Sequence, residues 1–411
     1  MKKPGYYTLK QQRATYLLTI HNDLVLKTQD GQAKYFEQIG AGRKAFKQRW
    51  DNVLFRAVVN LALPIIMLML DLYLPVRDAI RLLFHKKNSL DSKRLFIGYS
   101  RQLYTISKKA CLQKDDDYWF KLEDGDYILP EQKPTVTVFD FIKYGEIAKS
   151  AVQAFILHLS AIVKFGYDKY FLSYKAYEWC ITDYALRHVP EDVELVYSYI
   201  CDRNAILIDN LLNKNKNLIQ HGTMHFGNTD GRNPYMEFHE ERDFYLWKGL
   251  YKSSPARVYC YTEIDEWALS NSVIANHPDY VYIGYGFKPA FKPEKKSVLI
   301  VANYNFYSRN EEIILQQLQG LDIEIYLKNH PAIANSFYDD MRMKYQFVFI
   351  EGVDTKLPEV DLLISYDSTL ANEYASIGTK VLYYGRFEIK DIAHIVKTAL
   401  NLKTNDTRKS D

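Results

Sequence analysis

Two short segments in the last third of the chain carry residue types suited to holding a phosphate. One is Lys328-Asn329-His330-Pro331, directly after the apolar run Ile323 to Leu327. The other is Asp367-Ser368-Thr369, which follows Asp361 to Tyr366 and opens a helical stretch from Leu370 to Ile377. A strand that gives way to polar residues and then to a helix start presents unpaired backbone N–H groups, and these attract anions. An imidazole in one segment and hydroxyls in the other add side-chain donors for a nucleotide phosphate. Pro331 restricts His330 to an extended backbone, so the imidazole projects from the strand end. Lys328 adds positive charge nearby, although strand alternation can turn it to the opposite face. Taken singly, each segment also has a plain structural reading. Asp, Ser and Thr are ordinary N-caps, and no capping box follows, because Ala371 and Asn372 stand where Glu or Gln would be needed. Placed together on neighbouring strands, as the pattern predicts, the two favour an anion site.

A third segment lies earlier. The apolar run Asn217-Leu218-Ile219-Gln220 passes into His221-Gly222-Thr223 and then a loop reaching Asp230, Gly231 and Arg232. His221, Asp230 and Arg232 would offer a base, a carboxylate and a cation to a shared cleft. Asp230-Gly231 is equally a favoured turn pair. No phosphate loop of the G-x-x-x-x-G-K kind occurs, and Gly284-Tyr285-Gly286 lacks the third glycine of a dinucleotide fingerprint. Asp115-Asp116-Asp117 reads as a solvated loop. No metal-ligand spacing stands out, so the expected chemistry uses neither metal nor cofactor.

The elements that position these segments alternate. Apolar runs predict strands near 94–99, 135–139, 193–199, 217–220, 257–261 and 280–283, with helices between them, including one over 147–164. A Gly-, Pro- and Lys-rich stretch from 284 to 296 reads as a linker. The pattern then restarts, with strands near 298–301, 323–327, 347–350, 361–366 and 381–384. Strands alternating with 10–15-residue helices imply βαβ units and parallel sheets. The expected organisation is a helical region over 1–90, an α/β domain over 91–287, a nucleotide-binding α/β domain over 288–401 and a polar tail over 402–411. Ligands in such sheets bind beyond the carboxyl ends of the strands, which puts the site in a cleft between two facing domains.

Composition narrows the classes further. A formal charge of +3 on 411 residues, with Lys and Arg dispersed, argues against nucleic acid as a partner. The 34 tyrosines lean mildly toward carbohydrate, whose faces stack on aromatic rings. Cys111, Cys180, Cys201 and Cys260 are widely spaced, which fits a reducing compartment, and the basic N-terminus has no apolar core behind it; a cytoplasmic location is expected. One apolar segment, Ala57 to Leu70, is interrupted by Asn60 and Pro64 and is too short to span a bilayer. Its length favours a buried helix pair. Its basic flanks, Arg43 to Arg49 and Arg77 to Lys87, suit docking on the cytoplasmic leaflet.

The order of these pieces resembles GT-B glycosyltransferases that use CMP-activated ulosonic acids, in which a His-Pro motif and a downstream Ser/Thr motif bind CMP. His330-Pro331 and Ser368-Thr369 match those motifs, with Asp367 and Lys328 beside them. The segment Gln220-His221-Gly222-Thr223 is similar to the strand–His-Gly turn of capsule and teichoic-acid-type transferases, which implies that Gln220 and Gly222 lie near donor sugar or acceptor. Within the group the chain looks like the retaining β-Kdo transferases of lipopolysaccharide and O-antigen assembly. That resemblance implies CMP-Kdo (or CMP-sialic acid) as donor, a glycan or lipid-linked glycan as acceptor, Asp230 as nucleophile and His221 as base. Lys328 or Arg232 would pair with the sugar carboxylate. An inverting sialyltransferase and a CDP-glycerol-type polyol-phosphate transferase share much of the pattern, and a non-catalytic glycan-binding subunit is the alternative outside enzymes.

Overall fold

The computed structural model describes residues 9–29, 53–98, 101–122, 133–165, 176–198, 203–211, 215–220, 252–302, 308–329, 338–351, 356–365, 368–383 and 389–402. His221, Gly222, Asp230, Arg232, His330, Pro331 and Asp367 lie outside the described residues. The chain divides into two compact units, one made of the described residues up to Ile283 and one from Gly284 onward.

In the first unit, helices α1 (Leu9–Gln29) and α2 (Val53–Phe84) precede strand β1 (Arg94–Ile97), helix α3 (Arg101–Lys109), and strands β2 (Tyr118–Lys121) and β3 (Thr135–Thr137). Then come α4 (Val138–Phe141), α5 (Tyr144–Phe165), α6 (Ala176–His188), β4 (Glu194–Tyr197), α7 (Arg203–Asp209), β5 (Asn215–Ile219), β6 (Arg257–Cys260), α8 (Glu263–Ser272) and β7 (Asp279–Tyr282). The strands form one sheet in the order β3-β2-β1-β4-β5-β6-β7, parallel throughout. Leu95, Phe96, Trp119, Phe120, Leu195, Leu218 and Val258 are buried along it, as strands covered on both faces require. The helical N-terminal region packs into this unit, α1 against α5 and α7, α2 against α5 and α6.

The second unit runs β8 (Ser297–Val301), α9 (Ser308–Leu318), β9 (Glu324–Lys328), α10 (Asp339–Lys344), β10 (Val348–Ile350), β11 (Leu362–Ser365), α11 (Thr369–Ser376), β12 (Lys380–Tyr383) and α12 (Ile392–Leu400). Its sheet has the order β10-β9-β8-β11-β12, again all parallel. Alternation sorts its core. Val298, Ile300, Leu327, Leu362 and Ile364 face α9 and α12, where Ile314, Leu318, Ile392 and Val396 meet them. Leu299, Val301, Tyr326 and Leu363 face the other side, with Ala371 and Tyr374 of α11. Both units are therefore doubly wound, Rossmann-type layers, and the α/β expectation stands. The linker is half structure. Gly284 and Gly286 take left-handed backbone, φ +60° and +56°, and beyond them Phe287 packs on Tyr374 and Phe291 bridges Pro358 of the second unit.

Four expectations need correction. The strand expected at 135–139 stops at Thr137. Asp140 accepts from Thr137 N at 2.7 Å and from its hydroxyl at 3.2 Å, a reciprocal cap that turns Val138 and Phe139 into a helical turn. Asp115-Asp116-Asp117 leads directly into strand β2, and Asp117 is buried rather than solvated, accepting from Lys114 N at 2.7 Å. Burial pushes the Asp117 carboxyl above the usual range. The segment 57–70 is no buried helix pair. It belongs to one helix of 32 residues that runs through Pro64, and Leu54, Val58, Ile65, Met69 and Leu70 are exposed. The fourth correction concerns the two segments expected to hold a phosphate, whose strands are not neighbours.

Candidate functional site

In the second sheet, β9 and β11 lie on either side of β8. The strand order turns back between β8 and β11, which makes this the topological switch point. Register sets the geometry there. Val301 of β8 pairs with Lys328 of β9 on one side and with Ser365 of β11 on the other, so these three residues form one row across the sheet. At about 4.8 Å per strand, Lys328 and Ser365 backbones are separated by roughly 10 Å. Ile350 and Tyr383 extend the row to both edges. In sequence, His330-Pro331 follows Lys328 by two and three residues, and Asp367-Ser368-Thr369 follows Ser365 by two to four.

The β9 end is firmly held. Asn329 N donates to Ile350 O at 3.4 Å on one flank, and Ala302 N donates to Lys328 O at 2.9 Å on the other. Lys328 and Asn329 are both buried. The Lys328 ammonium donates to Asn329 O and to Asn329 Oδ1, each at 3.2 Å. The ammonium is thus held at the strand end rather than on a swinging surface chain, two residues before His330 in the sequence.

The β11 end uses hydroxyls. Ser365, buried on the last row, accepts from Ser368 N at 3.2 Å. Ser368 is the N-cap of α11, and its Oγ accepts from Leu370 N at 3.2 Å. That bond occupies one lone pair and leaves the hydroxyl proton for another acceptor. Ser368 and Thr369 are half-buried, in reach of solvent, whereas the inner side of α11 is packed through Ala371, Asn372 and Tyr374. The role of Ser365 was not evident in the sequence, where it reads as an ordinary strand residue.

In the first sheet, Gln220 follows β5 and is fully buried. Its Nε2 donates to Asp265 Oδ1 at 2.6 Å, and its Oε1 accepts from Tyr261 N at 3.2 Å. Asp265 in turn accepts from the Thr262 hydroxyl at 2.8 Å at the start of α8. Gln220 therefore ties β5 to the β6–α8 junction. Burial, with Asp265 and Glu266 near, pushes the thiol of Cys260 beside it up to about 12. Among the described residues no cluster of three or more His, Cys, Asp or Glu is arranged to hold a metal ion.

No family model matches the chain, and no curated protein matches it in sequence. Solved structures do. TarM is 10% identical, with 55% of this chain and 52% of TarM covered and a TM-score of 0.33, so the chain spans about half the length of TarM. The wall teichoic acid polymerase TagF is 10% identical over 79% of this chain and 80% of TagF, TM-score 0.36. The calicheamicin glycosyltransferase CalG4 is 9% identical over 76% of this chain and 91% of CalG4, TM-score 0.39. Likenesses at this level do not define what this chain acts on.

Proposed function

We propose that the chain is a glycosyltransferase whose nucleotide donor is held at the carboxyl edge of the second sheet. One observation carries the reading: the row Lys328–Val301–Ser365, from which the two polar segments leave on either side of the switch point. His330, Ser368 and Thr369, with the charge of Lys328 behind them and Asp367 beside, would neutralise the leaving nucleotide phosphate through hydrogen bonds, without calling on a metal. The donor is CMP-Kdo and the acceptor a glycan of a bacterial surface polysaccharide or lipopolysaccharide, as the motif resemblance implies.

Retention sets the order of steps. The Asp230 carboxylate attacks the anomeric carbon as the carbon–oxygen bond to CMP breaks, and that bonding pair leaves on the phosphate. An acceptor hydroxyl then attacks the same carbon, releases the Asp230 carboxylate and gives its proton to His221. Arg232 pairs with the sugar carboxylate. A cytoplasmic location belongs to the same proposal, in keeping with the wide spacing of the four cysteines.

The test is thermal stabilisation by CMP, CDP, UDP and GDP, with His330→Ala alongside, because a ligand that binds the folded state raises its stability by mass action. CMP alone should raise the melting temperature, and His330→Ala should abolish the shift. Asp230→Asn should then keep the shift and lose transfer by about a thousandfold or more. Stabilisation by CDP instead, with Asp230→Asn still active, would replace this reading with polyol-phosphate transfer.

A further inference from the structure

Helices α2 and α5 pack as an antiparallel pair. His85, just past the end of α2, meets Asp140, and Lys87 Nζ donates to Ile142 O at 3.2 Å just before α5 begins, while Asp71 in α2 pairs with His158 deep in α5. The polarity of the pair is inverted. The acids Asp71 and Asp78 of α2 are turned inward and buried, Asp71 onto His158 and Asp78 against Tyr177. The outward side is apolar: Leu72, Val76, Ile80 and Leu83 on α2, and Val152, Phe155, Leu159 and Val163 on α5, the last 88% exposed. Both sets follow helical spacing of three and four, so each makes one stripe. An open groove lined by Pro75, Val76, Ile80, Leu83, Tyr144 and Ala148 joins them.

From helix dimensions the two stripes cover on the order of 700 Å², beyond the roughly 300–600 Å² of the largest patch on an ordinary monomer. The rim is basic. Arg81, Lys86, Lys87, Lys143, Lys149 and Lys164 are exposed along it, and among the described residues of α2 and α5 no acid is fully exposed. A second copy of the same face would bring these cations against each other. An anionic lipid surface would not.

We propose that the α2–α5 face docks on a bilayer containing anionic lipids, with the apolar stripes at the level of the acyl chains and the basic rim among the headgroups. The pair lies on the membrane and does not cross it. At 22 residues α5 is long and apolar enough to span, but Ile147, Ser150, Ala154, Leu157, His158 and Ala161 are built into the first unit. The docking face lies beyond the 57–70 segment singled out in the sequence: its α2 half begins at Leu72, and α5 supplies the other half. This inference does not rest on the donor reading.

Flotation of the full chain with phosphatidylcholine vesicles, with and without phosphatidylglycerol, tests it, and no nucleotide enters the assay. The chain should float with the anionic vesicles. Leu72→Glu with Val163→Glu should lower binding at least about tenfold at an unchanged melting temperature. Lys86→Glu and Lys87→Glu should each lower it about fivefold, as should added salt. Failure of the unmodified chain to float with either vesicle would overturn the proposal, and a dimer broken by Leu72→Glu would assign the face to a second copy. Equal flotation of the double variant would overturn it too. So would binding that survives an alkaline wash, which would mean insertion.

Discussion

The two sheets share one winding order and end differently. At the amino edge both are stitched by ion pairs: Arg94 to Glu194 at 2.9 Å in the first sheet, and Lys296 to Asp361 at 2.6 Å in the second. At the carboxyl edge of the first sheet, Gln220 is turned on Asp265 and Tyr261, and Asp265 on Thr262. At the carboxyl edge of the second, the last row hands over to Asn329 and to Ser368, next to the segments richest in phosphate donors. Fold alone therefore does not distinguish the units. What distinguishes the described residues there is their bonding: Gln220 and Asp265 are spent on each other within the first unit, while half-buried Ser368 keeps a hydroxyl proton beyond the second sheet.

The largest effect expected from breaking this contrast is at Gln220. Gln220→Ala removes one hydrogen bond to the buried Asp265 carboxylate and one from the Tyr261 N–H, and should cost about 2–3 kcal/mol in urea unfolding. CMP affinity should hold. A loss of affinity matching the loss of stability would show that the first edge also serves the ligand.

Asp361 probes the opposite edge of the second sheet. Burial pushes its carboxyl up, but Lys296 and Ser297, which donates its N–H at 3.0 Å, outweigh burial and hold it below the ordinary carboxylate range. A depressed carboxyl stabilises the fold at pH above its unfolded value, near 3.9. That contribution is lost as pH falls through the lower folded value. Asp361→Asn should cost about 1 kcal/mol at neutral pH, since the pair is partly exposed, and should flatten the acid limb of stability below about pH 4. A variant with an unchanged acid limb would place the pH dependence elsewhere.

Thiol reactivity separates buried from accessible positions with a smaller consequence for the fold. Cys111 is exposed, and Cys260 is buried with its thiol pushed up to about 12. Peptide mapping after brief alkylation near pH 8 should find Cys111 modified and Cys260 intact.

The strands of the second unit were legible in the sequence because each is a short apolar run between turn residues, and all five fall within one or two residues of their expected positions. Their lateral order was not legible. Nothing local in Glu324–Lys328 or Leu362–Ser365 says that β8 comes between them; that follows from how the helices cover both faces. Strand β2 was missed because its four residues, Tyr-Trp-Phe-Lys, are too few to alternate and follow three aspartates. The end of β3 was misjudged because β-branched and aromatic residues outweighed the Thr137-x-x-Asp140 cap. Helix α2 inverts the usual rule of polar outside, so apolar content alone suggested burial. At the site, His330, Ser368 and Thr369 were singled out from residue type, while the supporting role of Ser365 depends on register and was not.

The smallest expected change in stability gives the sharpest comparison, because each sheet supplies an equivalent residue. Thr262 follows β6 and caps α8, accepting from Asp265 N at 3.4 Å; Ser368 follows β11 and caps α11, accepting from Leu370 N at 3.2 Å. Replacing either by alanine removes one cap, worth about 1 kcal/mol, and Thr262→Ala also removes the bond to the buried Asp265 carboxylate, so it should melt below Ser368→Ala. Their effect on nucleotide binding should differ. Ser368→Ala also removes the hydroxyl proton offered past the last row of the second sheet, and CMP affinity should fall about tenfold, the size of one charge-assisted hydrogen bond. Thr262→Ala removes a hydroxyl already given to Asp265 and should leave CMP affinity unchanged. Equal affinity in both variants would reduce Ser368 to a cap and move the phosphate away from α11, leaving the β9 segment to carry the site alone.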